Sequence, residues 1–591
     1  MFKKLNRPGD EEYGFPATDG IYQRDEWKTW HYVVAVLLLF PVVCIPILFA
    51  LVANANHTTK NYYGSAISSF TSVGSIEGGK VVSIAPDGSI QAGAGTSVYK
   101  NIVRLTLPCP DFLTMDSVYG NTYVLSYADE GTKKASLQVV TVASSTPDTG
   151  KIEYTVDTPY NIVELVTLNA ATGLFVGITQ DIDMDAQTGY VVAGKVNEQS
   201  HQIGNLVKSD EYGGDYSVSP VIIPLSKTTF AIGYYSDDLK IVTKYGKVDT
   251  TTLSITLYDS AVLLNDPKSS HNFDLVGMTE SSFMVVYHNS TVPVEPYYGY
   301  GTLQTRLASV NTDTGAVTVS DEVTLLGSTA IYSLAATRIS DTVAVVAYSD
   351  YSSNYGIRAQ LIQLETADTI TTPVFGQSWL ITAAKASAVV NGGMMDLDAV
   401  TISEDEGTFL VAFSDFSNNG AMTAAMGRVM SSDLSVSRAS ANYLLNSGSA
   451  DVESAYSWAA LAVGGGASLA STTAILTSVT NKDCSVAATT NFAMMNILPL
   501  PVGVTPPSGS TSSGAVDVAM GGSVSGFTSL VQGYSYYADT MGRLVQGDTY
   551  YGRDDSSEDF AYVTDDAANK IVTVDSKIGF AADANTMFIR T

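Results

Sequence analysis

Charged residues are scarce in this chain, and basic residues are the scarcest. Only 15% of the 591 residues are charged, and 31 Lys and Arg face 59 Asp and Glu, for a net charge of -28. A surface this negative repels phosphate backbones and anionic headgroups, so the composition argues against nucleic-acid binding. It suits basic partners or divalent cations, although solubility alone explains the same charge.

Cysteine and histidine are also rare, with three and five copies. Cys44 lies in an apolar run, which leaves Cys109 and Cys484 as the only pair for a disulfide in an oxidising compartment. The histidines form no His-Glu-x-x-His motif, and no Gly-x-Ser-x-Gly elbow is found. An active site gathered from several repeats would escape such linear motifs, so an enzyme stays an open alternative.

One apolar run is long enough to cross a bilayer. The 21 residues from Val33 to Ala53 carry no charge, and as a helix they would span about 30 Å. Lys and Arg are concentrated before this run and Lys60 is the only nearby cation after it, so the N-terminus is expected to be cytoplasmic. The sequence predicts a type II signal-anchor at 31–55 behind a tail at 1–30, with a cleaved signal peptide as the alternative.

Export would make two sequons available for glycosylation. They are Asn56-His57-Thr58 and Asn289-Ser290-Thr291. Asn56 lies next to the expected bilayer, where a transferase could not reach it. Asn289 is the better candidate, and an ordinary turn asparagine is the alternative interpretation.

A unit that contains one recognisable strand is repeated over about two thirds of the chain. Each copy is a strand of alternating apolar residues that ends at an aromatic or apolar residue, often before an aspartate, as in Tyr123–Asp129, Phe230–Asp237, Val343–Asp350 and Phe409–Asp415. Seven copies recur at a mean spacing of about 58 residues. Turn signatures of the form x-Thr-Gly lie between strands and end at Gly150, Gly173, Gly189 and Gly315.

This pattern resembles seven-bladed β-propeller ectodomains of membrane-anchored surface proteins. The period and about four short strands in each unit are those of a propeller blade, whereas stacked immunoglobulin-like sandwiches need about 90–100 residues a copy. The strand Ile102–Leu107 precedes the first repeat and is expected to complete the last blade. That closure would bring Cys109 beside Cys484.

A second, smaller module is expected after a Pro/Ser/Gly linker at 506–514. Its order of Gly-x-x-Tyr-Tyr, a turn glycine and Ile-Gly resembles end modules of bacteriophage fibres and algal surface proteins. We therefore expect an all-β chain: a seven-bladed β-propeller plus a small C-terminal β module, preceded by one transmembrane helix. The boundaries are a tail at 1–30, an anchor at 31–55, a stem at 56–100, the propeller at 101–505, the linker, and the module at 515–591.

Few residues suggest chemistry. Asp181, Asp183 and Asp185 alternate as in a calcium loop, but Ala186 and Val192 stand where an EF-hand has Gly and Glu. Calcium is the only cofactor that the sequence suggests, and plain turn residues are the alternative.

Exposed tyrosines suggest a binding loop. Tyr297, Tyr298 and Tyr300 lie in a Pro- and Gly-containing loop, and exposed tyrosines suit protein or sugar surfaces. They could equally fold back onto their own blade.

The sequence favours a non-enzymatic role over catalysis. We expect a single-pass membrane protein whose exported propeller is a structural, adhesive or assembly platform for protein or glycan partners, at the cell exterior or in a lumen. A membrane-anchored glycan hydrolase is one alternative, although only half of a sialidase Asp-box is met, at Thr146–Gly150. An accessory subunit of a larger membrane, virion or cell-surface assembly is another.

Overall fold

The computed structural model describes residues 59–590 with gaps, the longer of which are 143–149, 180–188, 266–272, 291–300, 366–373, 386–396, 445–458, 481–487, 508–514 and 547–561. This part of the chain contains strands and no helix, so the all-β prediction is confirmed for it. No helix that could cross a membrane is found among these residues. The predicted anchor at 31–55 lies outside them.

Eight antiparallel sheets make up the described chain. Sheets 1 to 3 follow one another in chain order. Sheet 1 contains β6 (Pro110–Tyr119), β7 (Thr122–Asp129), β8 (Lys134–Val142) and β9 (Gly150–Thr158). Sheet 2 contains β10 (Ile162–Asn169), β11 (Leu174–Thr179), β12 (Tyr190–Lys195) and β13 (Val207–Glu211). Sheet 3 contains β14 (Val218–Pro224), β15 (Thr229–Tyr235), β16 (Ile241–Val248), β17 (Ile255–Leu257) and β18 (Ala261–Leu264).

In each of the next three sheets, as in sheet 3, the first three strands are neighbours in chain order. Two short outer strands then both pair with the third strand. Sheet 4 contains β19 (Phe273–Thr279), β20 (Ser282–Ser290), β21 (Gly301–Val310), β22 (Val317–Val319) and β23 (Val323–Thr329). Sheet 5 contains β24 (Ile331–Ser340), β25 (Val343–Asp350), β26 (Gly356–Gln363), β27 (Val374–Phe375) and β28 (Trp379–Lys385). Sheet 6 contains β29 (Leu397–Ser403), β30 (Thr408–Asp415), β31 (Ala421–Met430), β32 (Ser435–Arg438) and β33 (Tyr443–Leu444).

Sheet 7 draws strands from three distant parts of the chain. It contains β34 (Ala459–Gly465), β35 (Thr472–Thr480) and β36 (Ala488–Ile497), then β5 (Thr96–Leu107), β42 (Lys570–Thr573) and β41 (Tyr562–Asp565). Leu107 lies opposite Ala488, and Thr96 lies opposite Ile497. The prediction that Ile102–Leu107 completes the last repeat is therefore confirmed, because β5 is the strand that pairs with β36.

The first strands of sheets 1 to 7, which we call the inner strands, form a closed circle. Each contacts the inner strand of the next sheet in the order β6, β10, β14, β19, β24, β29 and β34, and β34 contacts β6. Antiparallel sheets that radiate from a closed circle of strands are the architecture of a β-propeller. The propeller prediction is confirmed at that level.

The repeated strand of the sequence is the second strand of each sheet. Every residue of β11 and β15 is buried, and all but the first residue of β25 are buried. The sequence suggested alternation, but the apolar runs are continuous because both faces of each sheet pack against neighbouring sheets. Apolar clusters accordingly fill the spaces between successive sheets, such as Phe283 and Tyr287 of sheet 4 against Ile223 and Tyr235 of sheet 3.

Two of the predicted turn glycines adopt the backbone conformation that the turn requires. Gly173 has φ of 65° and Gly315 has φ of 72°, a region that is costly for residues with a Cβ. Gly189 is different, because its φ is not positive and the ring of Tyr212 packs against it, where a Cβ would lie 2.0 Å from Cζ. The prediction of a tight-turn glycine was wrong there, since close approach of a ring explains the residue.

The eighth sheet, which we call the end sheet, joins both ends of the described chain. It contains β1 (Thr59–Tyr62), β2 (Ser65–Thr71), β3 (Val81–Ile84), β4 (Ile90–Ala92), β37 (Pro501–Val504), β38 (Ala515–Ser525), β39 (Ser535–Ala538), β40 (Leu544–Gln546), β43 (Lys577–Ala581) and β44 (Thr586–Arg590). Strand β2 pairs with β38 from Ala66 to Thr71. The predicted stem and the predicted C-terminal module thus contribute strands to one sheet.

Candidate functional site

The charged residues on the inner strands of the ring are almost all acidic. These seven short strands carry Asp111, Asp116, Glu164, Asp274 and Asp398, against a single basic residue, Arg338. An inner strand pairs with its own sheet along one edge only, so its other edge presents backbone N–H and C=O groups that need partners. The acidic side chains supply many of these partners.

Sheets 1 and 2 show the arrangement most completely. The N–H of Thr167 in β10 donates to Oδ2 of Asp116 in β6 at 2.6 Å, and the N–H of Ser117 donates to Oδ1 at 2.7 Å. Two residues before Asp116, the hydroxyl oxygen of Thr114 accepts the N–H of Leu165 at 3.2 Å. One inner strand therefore caps alternate N–H groups on the free edge of the next.

The same bridge recurs between other pairs of sheets. Glu164 of β10 accepts the N–H of Ile222 in β14 at 3.1 Å. Asp274 of β19 accepts the N–H of Ala336 in β24 at 2.7 Å, and it accepts the N–H of Leu275 at 2.7 Å. Each of these carboxylates thus links its own sheet to the following one.

The carboxyl groups of sheets 2, 4 and 6 are close enough to repel one another. Burial raises the pKa of Asp274 to about 7, and the charge of Asp398 adds to the rise. Burial raises the pKa of Glu164 well above its usual range, and Asp274 and Asp398 again add to it. The pKa of Asp116 rises to about 6 through burial, against the opposing effect of its two backbone hydrogen bonds.

Arg338 is the only cation of the inner strands and connects three sheets. Its guanidinium donates to the carbonyl of Met278 in sheet 4 at 3.2 Å and to Glu404, which follows β29 of sheet 6, at 2.8 Å. Its backbone carbonyl accepts the hydroxyl of Thr401. This residue therefore bridges the inner strands on both sides of sheet 5.

A second set of polar groups lies farther out along the sheets. In sheet 4 the Tyr287 hydroxyl donates to Glu322 at 2.5 Å, and Gln304 Nε2 donates to the other oxygen of Glu322 at 2.6 Å. In sheet 5 the hydroxyl of Tyr348 bonds with Ser378, which also accepts Arg358 Nε at 2.8 Å. These bonds hold the tyrosine at the end of the repeated strand.

Most residues that the sequence singled out lie outside the described part of the chain. This is true of Asp181, Asp183, Asp185, Cys109, Cys484, Asn56, Tyr297, Tyr298 and Tyr300. Asn289 is described: it is half-buried in β20, opposite Thr302. Of the strand-end aspartates, Asp350 is buried, with Arg358 Nε 3.9 Å from its carboxylate.

No motif singled out the inner-strand carboxylates, although a signal exists. Three of them lie in a short tetrad of apolar, acidic, apolar and apolar residues, namely Val163–Val166, Phe273–Val276 and Leu397–Val400. Each tetrad lies between ten and seventeen residues before the aromatic or apolar end of a repeated strand. Only the ring closure shows that these acids face the free edge of a neighbouring strand.

The inner-strand carboxyl groups can hold protons and can accept hydrogen bonds from backbone N–H groups. Among the described residues, no group of three or more His, Cys, Asp or Glu side chains is placed to hold a metal ion. Four inner-strand carboxylates each accept at least one backbone N–H, namely Asp116, Glu164, Asp274 and Asp398. Their chemistry is therefore that of links between sheets.

Comparisons with known proteins give low similarity. No family model and no curated protein matches the chain. Among solved structures, Sqt1 from Saccharomyces cerevisiae has a TM-score of 0.35 at 10% identity and covers 69% of this chain and 100% of its own. AofleA from Arthrobotrys oligospora has a TM-score of 0.32 at 10% identity, covering 64% of this chain and 94% of its own.

An enzyme is also among the similar structures. The GH93 α-L-arabinofuranosidase of Fusarium graminearum has a TM-score of 0.32 at 10% identity and covers 58% of this chain and 93% of its own. Scores of this size carry no argument about function. The fold assignment rests on the strand pairing and on the circle of inner strands.

Proposed function

We propose that this chain is a type II membrane protein whose exported part is a seven-bladed β-propeller that serves as a non-enzymatic interaction platform. The seven sheets are its blades. The observation that supports this function is the use of the inner-strand carboxylates, which accept backbone N–H groups of the next sheet. Because these carboxylates are already hydrogen-bonded within the ring, the loops and rims of the ring are the surfaces that bind partners. The protein then acts as a structural, adhesive or assembly component.

Crosslinking in the native membrane tests the platform. The intact protein is crosslinked before extraction, captured through an N-terminal tag, and compared with a sample crosslinked after detergent dilution. The proposal predicts one or more defined protein or glycan partners that are recovered only from the membrane sample. Recovery of free monomer alone from both samples would contradict it.

The orientation is tested separately in sealed membrane vesicles. Protease added to right-side-out vesicles is expected to remove a C-terminal tag and to spare an N-terminal tag, because residues after 55 are exported. Modification at Asn289 would give a second readout, as a mobility shift that endoglycosidase removes and that Asn289→Gln abolishes. Protection of the C-terminal tag would overturn type II topology.

A membrane-anchored glycan hydrolase is the second candidate, and one observation favours it. Burial raises the pKa values of Glu164 and Asp274, and the charge of Asp398 adds to both rises. Raised carboxyl pKa values are a property of acid catalysts. Hydrolysis of glycans by the wild-type protein, with a loss of at least about a hundredfold in Asp274→Asn, would establish this function. Equal absence of hydrolysis in both proteins supports the platform.

A further inference from the structure

Two buried polar atoms of sheet 4 have no hydrogen-bond partner among the described residues. They are Oε1 of Gln304 and Nε of Arg306. The two residues are two positions apart in β21, whose pairing with β20 is regular, so their side chains share one face of the sheet. Gln304 is only 6% exposed. Leaving a buried polar atom without a partner is costly, so such atoms point to a group that binds beside them.

The neighbours of these two atoms form a compact polar cluster around Glu322. Its carboxylate accepts the Tyr287 hydroxyl at 2.5 Å and Gln304 Nε2 at 2.6 Å. Arg306 Nη2 lies 3.6 Å from the same carboxylate. These bonds leave Gln304 Oε1 as an acceptor and Arg306 Nε as a donor. We call these four residues the sheet 4 cluster.

The sheet 4 cluster is buried on one side and reaches solvent on the other. Tyr287 is buried in an apolar cluster with Tyr235 and Leu264 of sheet 3. The side chains of Arg306 and Glu322 are 26% and 33% exposed. The cluster therefore lies in the space between sheets 3 and 4, at a place that a small group from solvent can reach.

Sheet 5 contains an equivalent cluster in which the arginine has a partner. Tyr348 ends its repeated strand as Tyr287 does, and Ser378 precedes β28 as Glu322 precedes β23. Ser378 Oγ accepts Arg358 Nε at 2.8 Å and also bonds with the Tyr348 hydroxyl. A hydroxyl group thus satisfies the arginine Nε beside the strand-end tyrosine of sheet 5. Sheet 4 has a carboxylate in place of that serine.

Hydroxyl groups match the two atoms of sheet 4 for the same reason. A hydroxyl both donates and accepts, so one can donate to Gln304 Oε1 while its neighbour accepts from Arg306 Nε. It is also small enough to approach a side chain as buried as Gln304. Adjacent hydroxyl groups on one small ring are the characteristic feature of a sugar.

We propose that the sheet 4 cluster binds adjacent hydroxyl groups of a glycan through Gln304 and Arg306. The inference deepens the proposed platform function and rests on it, because it names a glycan as the partner. Glu322 positions both side chains and supplies a further acceptor at the solvent side of the cluster.

Saturation-transfer NMR of the full chain in detergent micelles tests the site. The probes are the methyl glycosides of glucose, galactose, mannose and N-acetylglucosamine. We expect saturable binding of at least one of them. Arg306→Lys keeps the charge but lacks Nε, and it should weaken binding by about tenfold or more. Glu322→Gln should also weaken binding, and it serves as a second variant in case the first is unstable.

The matched control is Arg358→Lys in sheet 5. Arg358 Nε is already bonded to Ser378, so this variant should bind the sugar as the wild-type protein does. No saturable binding by the wild-type protein, no loss in Arg306→Lys, or an equal loss in Arg358→Lys would overturn the proposal.

The crosslinking experiment separates failure of this site from failure of the platform. Absence of sugar binding together with defined crosslinked protein partners would reject the glycan site and leave the platform in place. Absence of both would reject the site and the platform together.

Discussion

The clearest prediction for a single residue concerns Asp274. Burial raises its pKa to about 7 from an ordinary 3.8, so the folded protein binds this proton more tightly than the unfolded chain. The free energy of unfolding that it contributes is present in full below the ordinary value and is lost as the pH rises through about 7. In Asp274→Asn, the midpoint of thermal unfolding should fall less steeply with pH than in the wild-type protein.

A matched control makes this measurement specific. Asp313 is exposed in the turn before β22, and Asp313→Asn should keep the wild-type slope of unfolding midpoint against pH. Equal slopes in all three proteins, measured by calorimetry, would show that the proton at Asp274 does not contribute to stability.

Arg338 carries a second prediction at the same scale. Its guanidinium reaches Met278 and Glu404, and its side chain is 38% exposed. Exposed pairs contribute only about 0–1 kcal/mol, so Arg338→Lys should lower the free energy of unfolding by no more than about 1 kcal/mol. A loss of several kcal/mol in denaturant titration would mean that the bridge between the sheets matters more than an exposed ion pair can.

At the scale of elements, a phenylalanine of the second strand packs on a glycine of the third. The cross-strand pairs are Phe175 with Gly194, Phe230 with Gly246, and Phe409 with Gly427. In each case a Cβ on the glycine would lie within 2.5 Å of a ring carbon. Because glycine has no side chain, the phenylalanine ring fills the space beside it. This packing, which recurs in three sheets, therefore requires glycine at that position.

Gly427→Ala should destabilise sheet 6 because its Cβ would lie 2.3 Å from Phe409 Cζ. Overpacking of this kind costs about 1–3 kcal/mol, which denaturant unfolding can measure. Gly327→Ala in β23 is the control, since nothing lies within 4 Å of its added Cβ. Equal stability of the two variants would contradict the packing.

Sequence patterns predicted the elements that repeat, and missed those that pair over long distances. The second strands were found because a strand that is buried between two sheets is rich in apolar residues and recurs at a regular spacing. Strand β5 was found because a propeller closes with a strand from one end of the chain. The pairing of β2 with β38 joins residues more than 400 positions apart, and short strands with few large apolar residues give no signal for it. The inner-strand acids were missed because their role depends on which strand lies next to them.

The closure of sheet 7 carries a prediction about Cys109 and Cys484. Strand β5 ends at Leu107, two residues before Cys109, and Leu107 lies opposite Ala488, four residues after Cys484. We expect a disulfide, worth about 4–5 kcal/mol in the chain-entropy model. After one proteolytic nick between the cysteines, non-reducing electrophoresis should show an intact chain and reducing electrophoresis two fragments. Two fragments under both conditions would exclude the bond.

At the scale of the whole molecule, calcium is the one ion that the sequence suggests. Asp181, Asp183 and Asp185 lie between β11 and β12. A weak extracellular site would bind with a dissociation constant of about 0.1–1 mM, so about 10 mM calcium should stabilise the fold by about 1 kcal/mol or more. Calorimetry should show this with calcium and lose it in Asp183→Asn. An equal effect of magnesium on both proteins would indicate general screening of the acidic surface.

Electron cryomicroscopy of the full chain in a lipid nanodisc tests the central claim most directly. We expect a closed ring of seven sheets and a density across the bilayer for residues 31–55. We also expect the end sheet between the bilayer and the ring, because β1 begins four residues after the proposed anchor. A ring that lies against the bilayer with the end sheet on the far side would contradict the orientation. A ring that does not close between β34 and β6 would contradict the architecture itself.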